Sequence, residues 1–392
     1  MFNRLINPII SNSFFLFGAR GTGKTTFLRQ FFKDRQVLWI DLLDPNEEDL
    51  FTRKPDELLA RLKTISPDSW VIIDEVQKVP KLLNYVHQLI ENPRLKFALT
   101  GSSARRLKQR GVNLLAGRAF MNFAYPLTYL ELGPEFVLTD ILQWGSLPKI
   151  FELKSTQEKA AYLRSYGLNY VTTEIQAEQW VRKIEPFRKF LPVAAQMNGG
   201  ILNYAKIARD VGVDTTTIIS YFDILEDTLL GFRLEAFHES VRKRQAMKPK
   251  FYFFDLGVKR ALEQTLTVEL LPQTFAYGNA FEHFLICEII RLNSYLACDF
   301  SFSFLRTKDD AEIDLVIDRP GKRRLYVEFK SSDHIEREDC RTLKEFSKDS
   351  DVVALLLSRD SHQKEFSGVR CLSWQDGIQE IFELNLMKQL NF

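Results

Sequence analysis

Four short apolar runs punctuate the first 130 or so residues: Phe14-Phe15-Leu16-Phe17, Val37-Leu38-Trp39-Ile40, Trp70-Val71-Ile72-Ile73 and Phe97-Ala98-Leu99. None alternates with polar positions, so each is expected to be a strand buried on both faces, as in a parallel sheet between helices. Helical spacing lies between them, as with Leu82, Leu83, Val86, Leu89 and Ile90 in residues 81–91. This alternation predicts an α/β nucleotide-binding domain over residues 1–138.

The pattern then turns mostly helical over residues 139–250. Residues 160–179 have helical periodicity, and Pro186 marks a boundary. Residues 203–213 read as a helix ended by Gly212. Asp214 is placed to cap a second helix over 215–230, which Gly231 ends before an extended Phe232-Arg233-Leu234. Helix, short turn, helix and strand outline a winged helix-turn-helix; a buried three-helix packing module has the same pattern. Residues 251–392 change again: a helix over 278–293, strands over 300–306, 313–318 and 325–330, a helix over 338–346 and a strand over 352–357. Internal repeats and low-complexity tracts are absent from the sequence.

Composition adds limits. The 392 residues are 45% hydrophobic and 27% charged, an ordinary globular balance for two or three domains, in which most of the 32 phenylalanines fill cores. Net charge is only +2, so affinity for nucleic acid must come from local patches. Two basic runs qualify: Arg105, Arg106, Lys108, Arg110 and Arg118, and Arg242, Lys243, Arg244, Lys248 and Lys250. Solvated faces produce such runs equally well. The four cysteines, Cys287, Cys298, Cys340 and Cys371, lack CxxC spacing and a partnered His cluster, which favours reduced thiols in a cytoplasmic protein. The apolar stretch 5–17 is broken by Asn7, Pro8, Ser11, Asn12 and Ser13 and runs into a glycine-rich loop, so it is read as neither signal peptide nor membrane span.

That loop carries the strongest chemistry. Gly18-Ala19-Arg20-Gly21-Thr22-Gly23-Lys24-Thr25 has phosphate-loop spacing between a predicted strand and helix, and Thr26 continues it. Glycines let backbone amides surround phosphate oxygens, and the helix N-terminus adds its dipole. Lys24 is expected on the β- and γ-phosphates and Thr25 on Mg²⁺. Asp74 and Glu75 follow a buried strand, where ligands bind in α/β sheets: Asp74 to hold Mg²⁺, Glu75 to orient or deprotonate the attacking water. Thr100-Gly101-Ser102-Ser103 ends the next strand, where hydroxyls sense a γ-phosphate or merely cap a helix. Arg118 is either an arginine finger for a neighbouring subunit or a surface arginine.

Phe17 to Thr26, Ile72-Ile73-Asp74-Glu75-Val76-Gln77-Lys78, Leu99 to Ser103 and Leu115-Ala116-Gly117-Arg118 resemble a large family of bacterial and archaeal AAA-type ATPases. Tyr125-Pro126-Leu127-Thr128-Tyr129-Leu130-Glu131 and Trp144-Gly145-Ser146-Leu147-Pro148 fit its next landmarks, with Ser146 where a second glycine is usual. The resemblance implies ATP and Mg²⁺ as cofactors, Arg118 acting in trans, and hence a homo-oligomer, a ring being one form of it.

Near the other end, period two in Arg324-Leu-Tyr-Val-Glu-Phe-Lys puts Tyr326, Glu328 and Lys330 on one polar face. Asp314 sits on the preceding strand, and Glu282 on the helix before it. A helix Glu, a strand Asp and a strand Glu-x-Lys resemble the PD-(D/E)XK nuclease superfamily, with Ile313 where proline is usual. That resemblance implies a restriction-endonuclease-like fold for residues 251–392, with Asp314 and Glu328 as metal ligands, Glu282 auxiliary, and Lys330 positioning water. A surface salt bridge is the plainer reading of Glu328 and Lys330.

The expectation is therefore a Mg²⁺-dependent ATPase that remodels, translocates or processes DNA, duplex or branched, with or without endonuclease cleavage. The alternative is a nucleotide-dependent DNA-binding switch whose nuclease-like domain is inactive.

Overall fold

The computed structural model describes residues 2–66, 68–92, 95–102, 117–170, 181, 183–240, 247–307, 311–348 and 351–384. Ser103, Arg105, Arg106, Lys108, Arg110, Leu115, Ala116, Arg242, Lys243 and Arg244 lie outside them, as do residues 171–179 of the expected helix. The chain divides into two compact units, one of Met1–Leu132, Leu147–Glu152 and Asp223–Leu230, the other of Gly133–Ser146, Leu153–Phe222 and Gly231–Phe392.

The first unit is built on five parallel strands, β1 (Ser13–Phe17), β2 (Val37–Asp41), β3 (Trp70–Asp74), β4 (Lys96–Gly101) and β5 (Ala119–Phe123), in the order β2-β3-β4-β1-β5. The apolar runs form these strands because helices cover the sheet. On one face Phe15, Phe17, Ile40, Val71, Ile73, Phe97 and Leu99 pack with Leu82, Leu83 and Val86 of helix Leu82–Leu89. On the other, Phe14, Phe32 and Trp70 cluster, with Phe32 and Trp70 ring centroids 5.0 Å apart. One expectation is corrected. β2 is an edge strand and only half-buried apart from Ile40, because its outer side lacks a strand neighbour. The register sets Asp41 beside Asp74 and Phe17 beside Gly101, so the strands end level along one rim.

The second unit begins with helices, among them Leu138–Trp144, Thr156–Arg164 and Ile184–Gln196. Pro186 is in the first turn of the last, where a missing N–H costs nothing. Helix Tyr204–Val211 is capped by Asn203 and ended by Gly212 at φ 80°. Asp214 caps the next, Thr215–Asp227, whose residues from Asp223 on belong to the first unit, by accepting from the Thr217 amide at 2.7 Å. That helix stops earlier than expected, and Leu229 rather than Gly231 takes the left-handed conformation after it (φ 59°). Gly231 is needed for space instead, since a Cβ there would lie 2.2 Å from the Phe251 ring and 2.7 Å from the Tyr252 carbonyl. It opens β6 (Gly231–Ala236), which pairs antiparallel with β7 (Lys250–Phe253).

β6 also pairs in parallel with β8 (Ser301–Arg306), so β7 is the last strand of an eight-stranded mixed sheet. Its order is β12-β13-β11-β10-β9-β8-β6-β7, with β9 (Glu312–Asp318), β10 (Arg324–Lys330), β11 (Val352–Ser358), β12 (Lys364–Phe366) and β13 (Val369–Ser373). Helix Phe275–Tyr295 packs on β10, and helices Arg341–Ser347 and Trp374–Phe382 pack on the sheet as well. Among the described residues no helix is long and apolar enough to cross a membrane.

The landmark Trp144-Gly145-Ser146 is a buried anchor of this unit. Gly145 has φ 73°, and a Cβ there would meet the Asp255 carboxylate at 2.2 Å. Fully buried Asp255 accepts from the Ser146 amide at 2.8 Å and the Val258 amide at 3.0 Å. Arg291 donates to the Ser146 hydroxyl and to the Phe254 carbonyl, at 3.1 and 2.7 Å. Gly145→Ala is therefore expected to cost about 3 kcal/mol or more, from strained backbone and a displaced carboxylate. Urea denaturation followed by tryptophan fluorescence checks this, and an unchanged midpoint would contradict the packing. His283 is buried, donates from Nε2 to the Phe253 carbonyl at 2.6 Å, and has its pKa lowered by burial to about 3. An unfolded histidine takes up a proton near pH 6.5, so stability should fall as pH drops from there toward 3. His283→Gln should flatten that slope in thermal melts.

Candidate nucleotide site and C-terminal charge cluster

β1 delivers Gly18 to the rim, where its N–H donates to the Gly101 carbonyl. A Cβ on Gly18 would sit 2.4 Å from the Ala124 carbonyl, so only glycine fits. Gly21 (φ 78°) and Gly23 (φ 88°) make the left-handed bends that bring the chain round. Ala19 and Thr22 are buried, with the Thr22 hydroxyl donating to the Ala19 carbonyl at 2.8 Å; Arg20, Gly21 and Thr26 are exposed. Helix α1 (Lys24–Phe31) starts at Gly23 with no side-chain cap, which leaves its first-turn amides to an outside acceptor. The buried Lys24 ammonium curls over the loop and donates to the Gly18 carbonyl at 2.8 Å and the Ala19 carbonyl at 3.4 Å. It is also 3.6 Å from Glu75.

Asp74 is fully buried at the end of β3. Burial pushes its pKa above the usual carboxylate value, against hydrogen bonds from Thr100 and Thr25 that lower it. The Thr25 hydroxyl donates to one oxygen at 2.7 Å, and the Thr100 hydroxyl donates to the other. Thr100 also accepts the Glu75 amide at 2.8 Å, so both its roles are used within the protein. Through these two bonds Thr100 positions Asp74 and Glu75. Glu75 has a left-handed backbone (φ 58°), and its carboxylate accepts from Gln77, which also donates to buried Ser102 at 3.1 Å. In the sequence Gln77 is named only within the motif from Ile72 to Lys78; its hold on Glu75 and Ser102 comes from the fold. Ser102 reaches the site through Gln77.

These residues fit a Mg²⁺-bound triphosphate. A hydroxyl and a carboxylate 2.7 Å apart, Thr25 and Asp74, are the pair that holds Mg²⁺ in phosphate-loop proteins. Lys24, Gly21, Gly23 and the α1 N-terminus form a cationic cradle around them. Arg118 stands just before edge strand β5, partly exposed, and donates to Nε2 of His87 at 2.8 Å while pairing with Glu91.

The second unit holds a cluster of charges. Lys250 on β7 pairs with Glu312 at 2.5 Å and with Glu282 at 3.5 Å. The Tyr252 hydroxyl donates to Glu282 at 2.6 Å. Pairing of β9 with β10 runs through Val327↔Leu315, and continuing that register sets Glu328 across from Asp314. There the Asp314 carboxylate accepts the Phe329 amide at 2.8 Å, and Lys330 donates to Glu328 at 2.9 Å. Burial, then Glu328 and Glu282, hold Asp314 well above the usual carboxylate range. Burial raises Glu328 too, against the pull of Lys330. For Lys250 burial disfavours the charge, but Glu282, Glu312 and Asp314 together outweigh it and raise the pKa.

One expectation changes here. Tyr326 and Glu328 are buried rather than on an open polar face, because Cys340 and Leu343 pack over Tyr326. Glu282, Asp314 and Glu328 share one cluster, yet among the described residues no group of three or more His, Cys, Asp or Glu is arranged to hold a metal ion. Glu282 is held by Lys250 and Tyr252 and one Glu328 oxygen by Lys330, Asp314 accepts the Phe329 amide, and the second Glu328 oxygen is buried without a partner. Lys250, Tyr252 and Glu312 were missed because their meeting depends on sheet order.

Sheet, loop and acid pair define the first unit as an AAA-type nucleotide-binding domain. Residues 11–133 match the AAA domain family, residues 136–269 a domain of unknown function (DUF8612) and residues 277–375 another (DUF4143). The chain is 28% identical over 313 residues to uncharacterized protein Rv2008c of Mycobacterium tuberculosis, covering 78% of this chain and 68% of that one. It is 22% identical over 367 residues to uncharacterized protein MJ1637 of Methanocaldococcus jannaschii, covering 80% and 74%. Among solved structures, the replication initiator DnaA bound to AMPPCP and single-stranded DNA aligns at 14% identity and TM-score 0.27, over 55% of this chain and 82% of that one.

Thr100→Val keeps the shape but removes both hydrogen bonds at Asp74 and Glu75. It should lower ATP turnover about ten- to a hundredfold while nucleotide affinity changes little. Steady-state kinetics paired with a binding titration decide it.

Proposed function

We propose that the chain is a Mg²⁺-dependent ATPase that acts on DNA. The observation carrying the hydrolytic part is the joint arrangement of Lys24, Thr25, Asp74 and Glu75 around the phosphate loop. In this reading the loop amides and Lys24 hold the β- and γ-phosphates, and Thr25 and Asp74 hold Mg²⁺. Glu75 orients water once it leaves Gln77. When bound, the ion neutralises charge on the transferring phosphoryl group. Arg118, at the start of an edge strand, completes the site of a neighbouring copy in a homo-oligomer.

The DNA part rests on the second unit. Helices Ile184–Gln196, Tyr204–Val211 and Thr215–Asp227 with the β6/β7 pair have the outline of a winged helix-turn-helix. Phe187, Phe190, Tyr221, Phe222 and Phe251 fill its core, leaving Thr215, Thr216, Ile219 and Ser220 exposed on the last helix. The basic run from Arg242 to Lys248 lies in the β6–β7 connection, where a wing meets phosphates. The C-terminal region, resembling PD-(D/E)XK nucleases in the order of Glu282, Asp314, Glu328 and Lys330, is read as gripping DNA without cutting it, since Glu282 and Glu328 already bind Lys250 and Lys330.

A regulatory switch is the second reading, favoured by the hold of Gln77 and Lys24 on Glu75. The ATPase rate with and without single-stranded, duplex and branched DNA separates the two. Stimulation by one DNA form, lost in Lys24→Ala, supports the proposal; slow hydrolysis indifferent to every DNA supports the switch. A nicking assay with Mg²⁺ or Mn²⁺ should show no cleavage. Cleavage that Asp314→Asn or Lys330→Ala abolishes would restore the nuclease.

A further inference from the structure

Arg4 precedes the first strand, and no motif covers it, yet it is one of the most constrained cations in the first unit. Its side chain is 7% exposed and paired with Glu131, which is wholly buried, across 127 positions of sequence. The guanidinium spends its fork on three separate acceptors. Nε donates to Glu131 at 2.9 Å, Nη2 to the Tyr125 carbonyl at 2.7 Å, and Nη1 to the Thr22 carbonyl at 2.6 Å. Thr22 belongs to the phosphate loop itself. Glu131 is fixed in turn by the Leu5 amide at 2.9 Å and by the amide of Thr128, also at 2.9 Å.

A trans peptide is planar, with its C=O and N–H antiparallel. A cation fastened to the Thr22 oxygen therefore turns the N–H of Gly23 the opposite way and fixes that peptide plane. The same contact sets a guanidinium behind the loop, its charge balanced by Glu131. Gly23 is required by its left-handed backbone (φ 88°), and a Cβ there would touch Arg4 Nη1 only at ordinary contact distance, 3.4 Å.

We propose that Arg4 and Glu131 form a positioning pair that presets the phosphate loop for the β-phosphate. Tyr125 to Glu131, a landmark in sequence with no evident chemistry, is the base on which Arg4 stands. The inference rests on the nucleotide-binding reading above and adds to it a residue pair that touches no nucleotide. Lysine cannot replace Arg4, because a single ammonium lacks the planar fork that reaches three acceptors.

The test is a binding titration of the full chain with ATP, ADP and AMP, run beside thermal melts without nucleotide. Arg4→Ala should weaken ATP and ADP at least tenfold and leave AMP, which lacks a β-phosphate, unmoved. Arg4→Lys should fall between. Glu131→Gln should weaken ATP and ADP as well, and the double variant should be no worse than Arg4→Ala. A merely structural role would lower the melting temperature and leave the affinities of the folded fraction alike, and that result overturns the pair. Should Arg4→Ala not fold, Arg4→Lys and Glu131→Gln carry the same comparison. A wild-type chain that binds no nucleotide overturns the ATPase reading and this one together. A wild type that binds, with folded variants that bind equally, overturns only the positioning pair.

Discussion

A charge withdrawn from water must find partners, and this constraint organises the molecule at each of its chemically important points. Asp74 shows it most plainly. Fully buried at a strand end, it is bearable only because Thr25 and Thr100 both donate to it. Those two hydroxyls come from the helix after β1 and from β4, so satisfying one carboxylate locks three neighbouring strand ends to one another. The same logic ties Arg4 to Glu131 and Asp255 to Ser146, each joining segments over a hundred positions apart. Sheet pairing sets the layers, and buried charges set how the loops close over them.

How much of this was legible in the sequence depended on whether the cause was local. The phosphate loop was readable because its glycines, lysine and threonine act within one turn of chain. Asp74 and Glu75 were readable because an unbroken apolar strand must end at a rim where ligands bind. Gln77 and Thr100 were named only as parts of longer motifs, since their roles come from side chains across the sheet. The Glu328 strand misled for a related reason. Alternation of polar and apolar residues predicts one wet face, but a helix packed around Cys340 and Leu343 dries that face. A period of two reports which residues share a side, not what covers it.

Lys250 marks the limit of sequence reading most clearly. In the sequence it closes a basic run and looks like a residue for binding phosphates. In the fold it is buried at the start of β7 and turned toward Glu312 and Glu282. The reason is topological: β6 joins β8 in parallel, which adds the β6/β7 pair to the edge of the C-terminal sheet and brings β7 beside helix Phe275–Tyr295. No window of sequence contains that junction, which makes one continuous sheet of strands that fall on either side of position 250.

The two acid sites of the chain thus solve the same electrostatic problem differently. At Asp74 the partners are neutral hydroxyls, which share a hydrogen bond but leave the negative charge uncancelled. Burial accordingly holds its pKa up, and a divalent cation arriving there gains the full attraction of the carboxylate. Around Glu282, Glu312 and Glu328 the partners are ammonium groups, so much of the charge is already neutralised from within. A metal ion taking Glu282 as a ligand would compete with Lys250, a buried cation that would lose part of its counter-charge, a costly exchange. The contrast follows from the side chains each fold presents to its acids.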